Sequence, residues 1–121
     1  MLTLEQQLFD AVGAGDLATV LLLLRKGVDP KAYNSLALRW AAQEGHVECV
    51  ELLIAVSDPK AEYSAALRAA AAHGHTEVVR LLIPVSDPKA NGSTTLWWAA
   101  KKGHTECVRL LIPVSDPKAD N

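Results

Sequence analysis

One stretch decides the fold of this chain, and it reads Ser64-Ala-Ala-Leu-Arg-Ala-Ala-Ala-Ala-His-Gly-His-Thr-Glu-Val-Val-Arg-Leu-Leu-Ile-Pro-Val-Ser-Asp-Pro-Lys-Ala90. The pattern recurs 29 residues earlier, from Ser35, and 29 residues later, from Ser93. A fixed period of this length is typical of a stacked array of short repeats. Three sets of residues keep the offset: Gly45, Gly74 and Gly103; His46, His75 and His104; and the Ser-Asp-Pro-Lys segments that begin at 57, 86 and 115.

Each repeat predicts a first helix that is rich in alanine. In the middle copy it runs from about Ser64 to His73 and places Leu67, Ala70 and Ala71 on one face. The Ser64 hydroxyl is predicted to cap this helix by accepting from an amide of its first turn. Gly74 follows the last turn, where a left-handed residue commonly ends a helix.

A second, more apolar helix is predicted over about Thr76 to Ile83. Pro84 has no amide hydrogen to donate, so this helix should end there or just after it. Glu77 and Arg80 are predicted to face water. One helix pair cannot bury its apolar faces alone, so the repeats are expected to stack in a row. The predicted apolar stripe consists of Val78, Val79, Leu82 and Ile83.

These segments resemble the ankyrin repeat. The resemblance rests on Leu38-Arg-Trp-Ala-Ala-Gln-Glu-Gly-His46, Leu67-Arg-Ala-Ala-Ala-Ala-His-Gly-His75 and Leu96-Trp-Trp-Ala-Ala-Lys-Lys-Gly-His104, each continuing into x-Glu-(Cys/Val)-Val-x-Leu-Leu-Ile. It covers nearly the whole chain. It implies an all-α solenoid of four stacked helix-turn-helix repeats, a protein partner, and a backbone-bonding role for the histidine between the helices.

The repeats depart from the family pattern in length. Their period is 29 residues, against about 33 in ankyrin repeats. About three residues are missing from the β-hairpin finger and about one from the Gly-Ala-Asp turn. The Thr-Pro before the leucine is also absent. A tight loop is therefore expected in place of the finger, with little or no strand. The near-identity of the copies fits both a recently expanded natural array and an engineered consensus-like array.

The chain is interpreted as one domain over residues 1–121. Residues 1–34 form a cap-like first unit with a more polar outer helix, in which Thr3 is a predicted N-cap. The regular units are 35–63, 64–92 and 93–121. The face of the last unit, around Trp97, Ala100, Leu110 and Leu111, is expected to lack a neighbour. Three interpretations stay open: a piece of a longer array, a homo-oligomer through this uncapped repeat, or a face left uncovered.

Composition excludes several classes of partner. The 121 residues carry a formal net charge of −2 with mixed signs, so no basic field for nucleic acid is expected. No apolar run approaches the roughly 20 residues of a membrane span, and the start lacks a secretory signal pattern. Cys49 and Cys107 occupy one repeat position and are predicted to be buried, unpaired small hydrophobes. Free cysteines favour a cytoplasmic protein.

The repeated titratable residues predict structure rather than catalysis. His46 with Cys49, and His104 with Cys107, have a spacing that metal ligands can use, but nothing supplies four convergent ligands. Recurrence of the histidine with or without a cysteine favours a structural role. No cofactor, metal or catalytic residue is predicted, and the protein is interpreted as not an enzyme. His73, the unrepeated histidine, is expected at an exposed helix end.

The positions that vary around the Ala-Ala core carry the functional prediction. In arrays of the family that this sequence resembles, this edge of the first helix lines the concave surface that binds protein partners. Two interpretations of the tryptophans stay open, namely partner contact and sideways packing against neighbouring first helices. The preferred function is a non-enzymatic protein–protein interaction module, and the alternative is a structural or self-assembling scaffold without a dedicated ligand. The candidate partner-binding residues are Trp40, Glu44, Ala69, His73, Trp98 and Lys102.

Overall fold

A computed structural model describes residues 2–115 of the chain, and these form four consecutive helix pairs. Within that range the chain contains helices and turns but no strand, which confirms the all-α prediction and the loss of the β-hairpin finger. Every helix there is too short or too polar to cross a bilayer. The helices are α1 Leu4–Ala14, α2 Leu17–Arg25, α3 Ala32–Glu44, α4 Val47–Ile54, α5 Ala61–Ala72, α6 Thr76–Leu82, α7 Ala90–Lys101 and α8 Thr105–Leu111.

The helix pairs stack in register and make two layers. The first helices pack in the order α1, α3, α5, α7, and the second helices pack in the order α2, α4, α6, α8. The core lies between the layers and repeats with the sequence, so that each unit contributes the same kind of side chain. Its largest fully buried residues are Leu8, Leu23, Leu38, Leu53, Leu67, Leu82, Leu111, Val12, Val20, Val50, Val78 and Val79.

The predicted faces of the middle unit are confirmed. Leu67, Ala70 and Ala71 are buried on α5, while Val78, Val79 and Leu82 are buried on α6 and Ile83 is half-buried. Glu77 and Arg80 face water and form an ion pair one turn apart. Pro84 lies in a short 3-10 helix, Ile83–Val85, that ends α6 as predicted. A second such helix, Ile112–Val114, follows α8.

Thr3 is the N-cap of α1, as the sequence predicts. The Thr3 hydroxyl accepts from the Gln6 amide at 3.1 Å, and the Gln6 side chain accepts in return from the Thr3 amide at 2.9 Å. This reciprocal pair satisfies two donors that a helix start otherwise leaves free. Asp16 caps α2 by accepting from the amide and the hydroxyl of Thr19, and these bonds lower the pKa of its carboxyl.

A left-handed turn replaces the missing finger. Tyr33, Asn34 and Ser35 have φ near 55–59°, and Glu62, Tyr63 and Ser64 have φ of 54–59°. The right-handed parts of α3 and α5 start only after these three residues. A left-handed residue with a side chain costs about 1–2 kcal/mol, and hydrogen bonds offset part of that cost. The Arg68 guanidinium donates to the carbonyls of Glu62 and Tyr63, and Arg39 donates to that of Tyr33.

The prediction that Ser64 caps its own helix is wrong. The Ser64 hydroxyl is fully buried and accepts from the backbone amide of Asp87 at 2.8 Å. Ser35 accepts from the Asp58 amide at the same distance. Because the left-handed turn moves this serine out of the usual capping geometry, its hydroxyl joins the start of one repeat to the turn before the next. The side chains of Asp58 and Asp87 each accept from an amide two residues on, as expected of a turn aspartate.

Tyr63→Gly is expected to leave stability unchanged or raise it by up to about 1 kcal/mol, because glycine enters the left-handed region without a Cβ clash. Tyr63 is 67% exposed, so little packing is lost. Tyr63→Val should instead destabilise by about 1 kcal/mol or more, since a β-branched residue fits this region poorly. Urea unfolding midpoints measure the difference.

The matched control is Glu51, which is exposed on the right-handed helix α4. There the order should reverse, with the glycine variant less stable than the valine variant, because glycine weakens a helix interior. If valine and glycine were equally stable at position 63, the left-handed turn would be contradicted.

Candidate functional site

Histidines between the paired helices tie each repeat to the one before it. The Nε2–H of His46 donates to the Gly13 carbonyl at 2.9 Å, that of His75 to Gln43 at 2.8 Å, and that of His104 to Ala72 at 2.9 Å. A carbonyl only accepts, so Nε2 carries the proton in all three rings. The structure therefore agrees with the backbone-bonding role that the resemblance implies, and it places the acceptor in the preceding repeat.

Each of these rings also packs on a glycine of the preceding repeat. A Cβ on Gly45 would lie 2.5 Å from His75 Nδ1, and one on Gly74 would lie 2.6 Å from His104 Nδ1. Both glycines also have φ near 75°. Glycine is needed here twice, for the left-handed helix end and for the close approach of the next repeat.

The reactive side chains of the chain are held in structural positions. Cys49 and Cys107 are buried and unpaired, and burial raises the pKa of both thiols. A thiol with a raised pKa stays protonated at neutral pH and is a poor nucleophile and metal ligand. Within residues 2–115 no three His, Cys, Asp or Glu side chains lie together as a metal site would require.

A groove of about 960 Å³ crosses α3, α5 and α7. Helix α5 packs against both neighbours, so its residue Ala69 lies between Trp40 of α3 and Trp98 of α7. Because Ala69 has only a methyl side chain, a shallow gap remains between the two indoles. We call this feature the Trp groove.

The Trp groove brings together five of the six predicted partner-binding residues. Trp40, Ala69, His73, Trp98 and Lys102 all line it. Glu44, also predicted, is exposed on α3 but is not among the residues that line the groove. Whether any of these six residues contacts a partner stays a prediction.

The two tryptophans combine packing with exposure. The Trp40 indole lies over α1, where its Nε1 would be 3.6 Å from a Cβ on Gly13, and the residue is still 40% exposed. Trp98 is half-buried and meets Trp97 edge to face, with ring centres 4.9 Å apart. Trp40 therefore packs sideways against the preceding first helix and still keeps surface available, whereas partner contact by either indole stays a prediction.

Several residues of the groove were not among the predicted contacts. Arg39 directly precedes Trp40, and Arg68 directly precedes Ala69. This position next to a predicted contact is the sequence feature that could have identified them. The small residues were not recognisable, since alanine recurs throughout these helices. The lining residues missed were Leu36, Arg39, Gln43, Ala65, Arg68 and Ala72, with His104 at one end.

The predicted uncovered face of the last unit is exposed only in part. Trp97 is 42% exposed, and the Lys101 ammonium lies 4.7 Å from its ring centre. Ala100 is also exposed and Leu110 is half-buried, but Leu111 is fully buried. The expectation that Leu111 lies on an uncovered face is wrong, because α8 turns this leucine into the core between the layers.

The fold and these contacts define a class of protein, a solenoid of helix pairs joined by histidine bonds from repeat to repeat. A family model described as ankyrin repeats, in three copies, matches residues 8–89 and 56–121. These segments together span nearly the whole chain, and the chain belongs to the ankyrin-repeat family. A comparison with curated proteins found no match.

Proposed function

We propose that this chain is a non-enzymatic module that binds a protein partner through the Trp groove. Ankyrin repeats are generally protein–protein interaction modules. The observation that supports a role for this groove is the pair of partly exposed indoles, Trp40 and Trp98, on either side of Ala69. Tryptophan next to a pocket is a common anchor of binding energy. His73 and Lys102, which line the groove, belong to the proposed contact surface, and Glu44, which is exposed on α3, is proposed as a further contact.

The proposed location is the cytoplasm. What supports it is that Cys49 and Cys107 are both free thiols in the core, as is usual for proteins of reducing compartments.

Peptide display tests the proposed surface. Peptides of about 12 residues selected on the wild-type protein should bind at least about thirtyfold more weakly to a Trp40→Ala, Trp98→Ala variant, because two anchor side chains are lost. Leu22→Ala is the control, since this exposed apolar side chain lies on α2, outside the groove. Circular dichroism and unfolding midpoints establish that the variants are folded. Equal binding to wild type and the double variant would contradict the proposal.

The alternative is a structural or self-assembling scaffold. The observation that favours it is the exposed pair Trp97 and Ala100 on the outer face of α7, where a second copy could stack. Light scattering at about 50 µM distinguishes the two, because an interface of standard size would give an oligomer there. A monomer whose state is unchanged by Trp97→Ser would count against self-assembly.

A further inference from the structure

The Trp groove carries one sign of charge. Its side chains include the cations Arg39, Arg68 and Lys102, and none of the described residues that line it is Asp or Glu. The whole chain has a formal net charge of −2. The groove is therefore locally positive on a protein whose overall charge is slightly negative.

The groove arginines are not neutralised by carboxylates of the chain. The ion pairs within residues 2–115 join Arg80 with Glu77 and Arg109 with Glu106. Arg39 and Arg68 take part in neither, and their hydrogen bonds run to the backbone carbonyls of the left-handed turns. In addition, Arg39 Nε is buried and has no acceptor within the described part of the chain. A carbonyl orients a guanidinium without cancelling its charge, so both arginines remain able to attract an anion.

Part of the groove lining is apolar. Ala69 and the indoles of Trp40 and Trp98 belong to this apolar part, and the three residues come from three successive first helices. The Lys102 ammonium lies 5.7 Å from the Trp98 ring centre, at the edge of this gap. A bound side chain that fills the gap would have to be apolar, with charged groups around it.

We propose that the Trp groove selects an acidic peptide segment in which one apolar side chain is flanked by Asp or Glu. The apolar side chain enters the gap over Ala69, and the carboxylates lie against Arg39, Arg68 and Lys102. This inference rests on the proposed function and specifies the chemistry of its partner. A protein segment is favoured over a nucleic acid because three cations on an acidic chain do not form the extended basic stripe that phosphate backbones require.

Peptides from the display selection provide the first test. Only peptides that bind the wild type and lose binding to the Trp40→Ala, Trp98→Ala variant are kept. The net charge of each is then calculated from its sequence. The kept peptides should carry several Asp or Glu around one apolar residue. Replacing those acids by Asn and Gln should weaken binding at least about fivefold, as expected for the loss of partly exposed ion pairs. Raising NaCl from about 50 mM to about 500 mM should weaken the acidic peptides and not their amide forms.

Two pairs of matched variants test the charge preference of the groove itself. Ala69→Glu and Ala69→Gln fill the gap with side chains of nearly the same shape, so the glutamate variant should bind an acidic peptide at least about fivefold more weakly than the glutamine variant. Lys102→Gln should weaken binding, whereas Lys26→Gln should not, because Lys26 is exposed at the end of α2, outside the groove. Equal binding within either pair would overturn the proposal.

The outcomes separate this inference from the proposed function. Groove-dependent peptides that are neutral or basic would overturn the acidic preference and leave the groove as a binding surface. A selection without any groove-dependent peptide would overturn both. A single-stranded oligonucleotide of mixed sequence that bound the groove more tightly than the acidic peptides would overturn the assignment to a protein segment.

Discussion

Leu82→Ala is expected to lower the free energy of unfolding by about 2–5 kcal/mol, through lost burial and the cavity left behind. Leu82 is fully buried on α6, in the core between the two helix layers. Its neighbours are held by the repeats on both sides, so the cavity cannot close by a local shift. Urea or thermal unfolding followed by circular dichroism measures the loss.

Leu22→Ala is the matched control for Leu82→Ala. Leu22 also lies on a second helix, α2, but it is 51% exposed. Its replacement should change stability by no more than about 0.5 kcal/mol. Near wild-type stability for the Leu82 variant would show that the wrong face of the second helix has been placed inside.

Gly74→Ala is expected to cost about 2–3 kcal/mol, because two separate penalties fall on one position. The first is the left-handed backbone, with φ of 75°. The second is a Cβ that would lie 2.6 Å from His104 Nδ1. Since the His104 ring is held by its bond to the Ala72 carbonyl, it could move aside only by giving that bond up. Chemical unfolding measures the total cost.

Gly103→Ala separates those two penalties. Gly103 has φ of 77°, but no atom of residues 2–115 lies within 4 Å of its added Cβ. This variant should therefore show only the backbone cost of about 1–2 kcal/mol. If the two variants were equally destabilised, the close approach between neighbouring repeats at the Gly–His positions would be contradicted.

The helices could be predicted because their signals are local. The apolar spacing of Leu67, Ala70 and Ala71 identified the buried face of α5. Pro84 marked the end of α6, and Thr3 marked the start of α1. Each of these signals acts within one or two turns of its own helix, so a reading of the sequence alone could place it.

The candidate site was predicted only in part. Trp40 and Trp98 were recognisable because they interrupt a regular Ala-rich pattern, and both line the groove. Arg39 and Arg68 were not selected, since nothing local shows that their hydrogen bonds run to carbonyls of a left-handed turn and leave their charge uncancelled. Glu44 was selected by repeat position, yet it does not line the groove.

By itself the sequence determined the family, the helix pairs and the faces that α5 and α6 bury, because these depend on periodicity and on residues next to one another. The tertiary structure decided which two repeats each polar contact joins. Ser64 bonds to Asp87, 23 residues away, and His75 bonds to Gln43, 32 residues away. Such partners meet only once the repeats have stacked in register. The same stacking places the arginines, the indoles and Ala69 of three successive first helices around one groove.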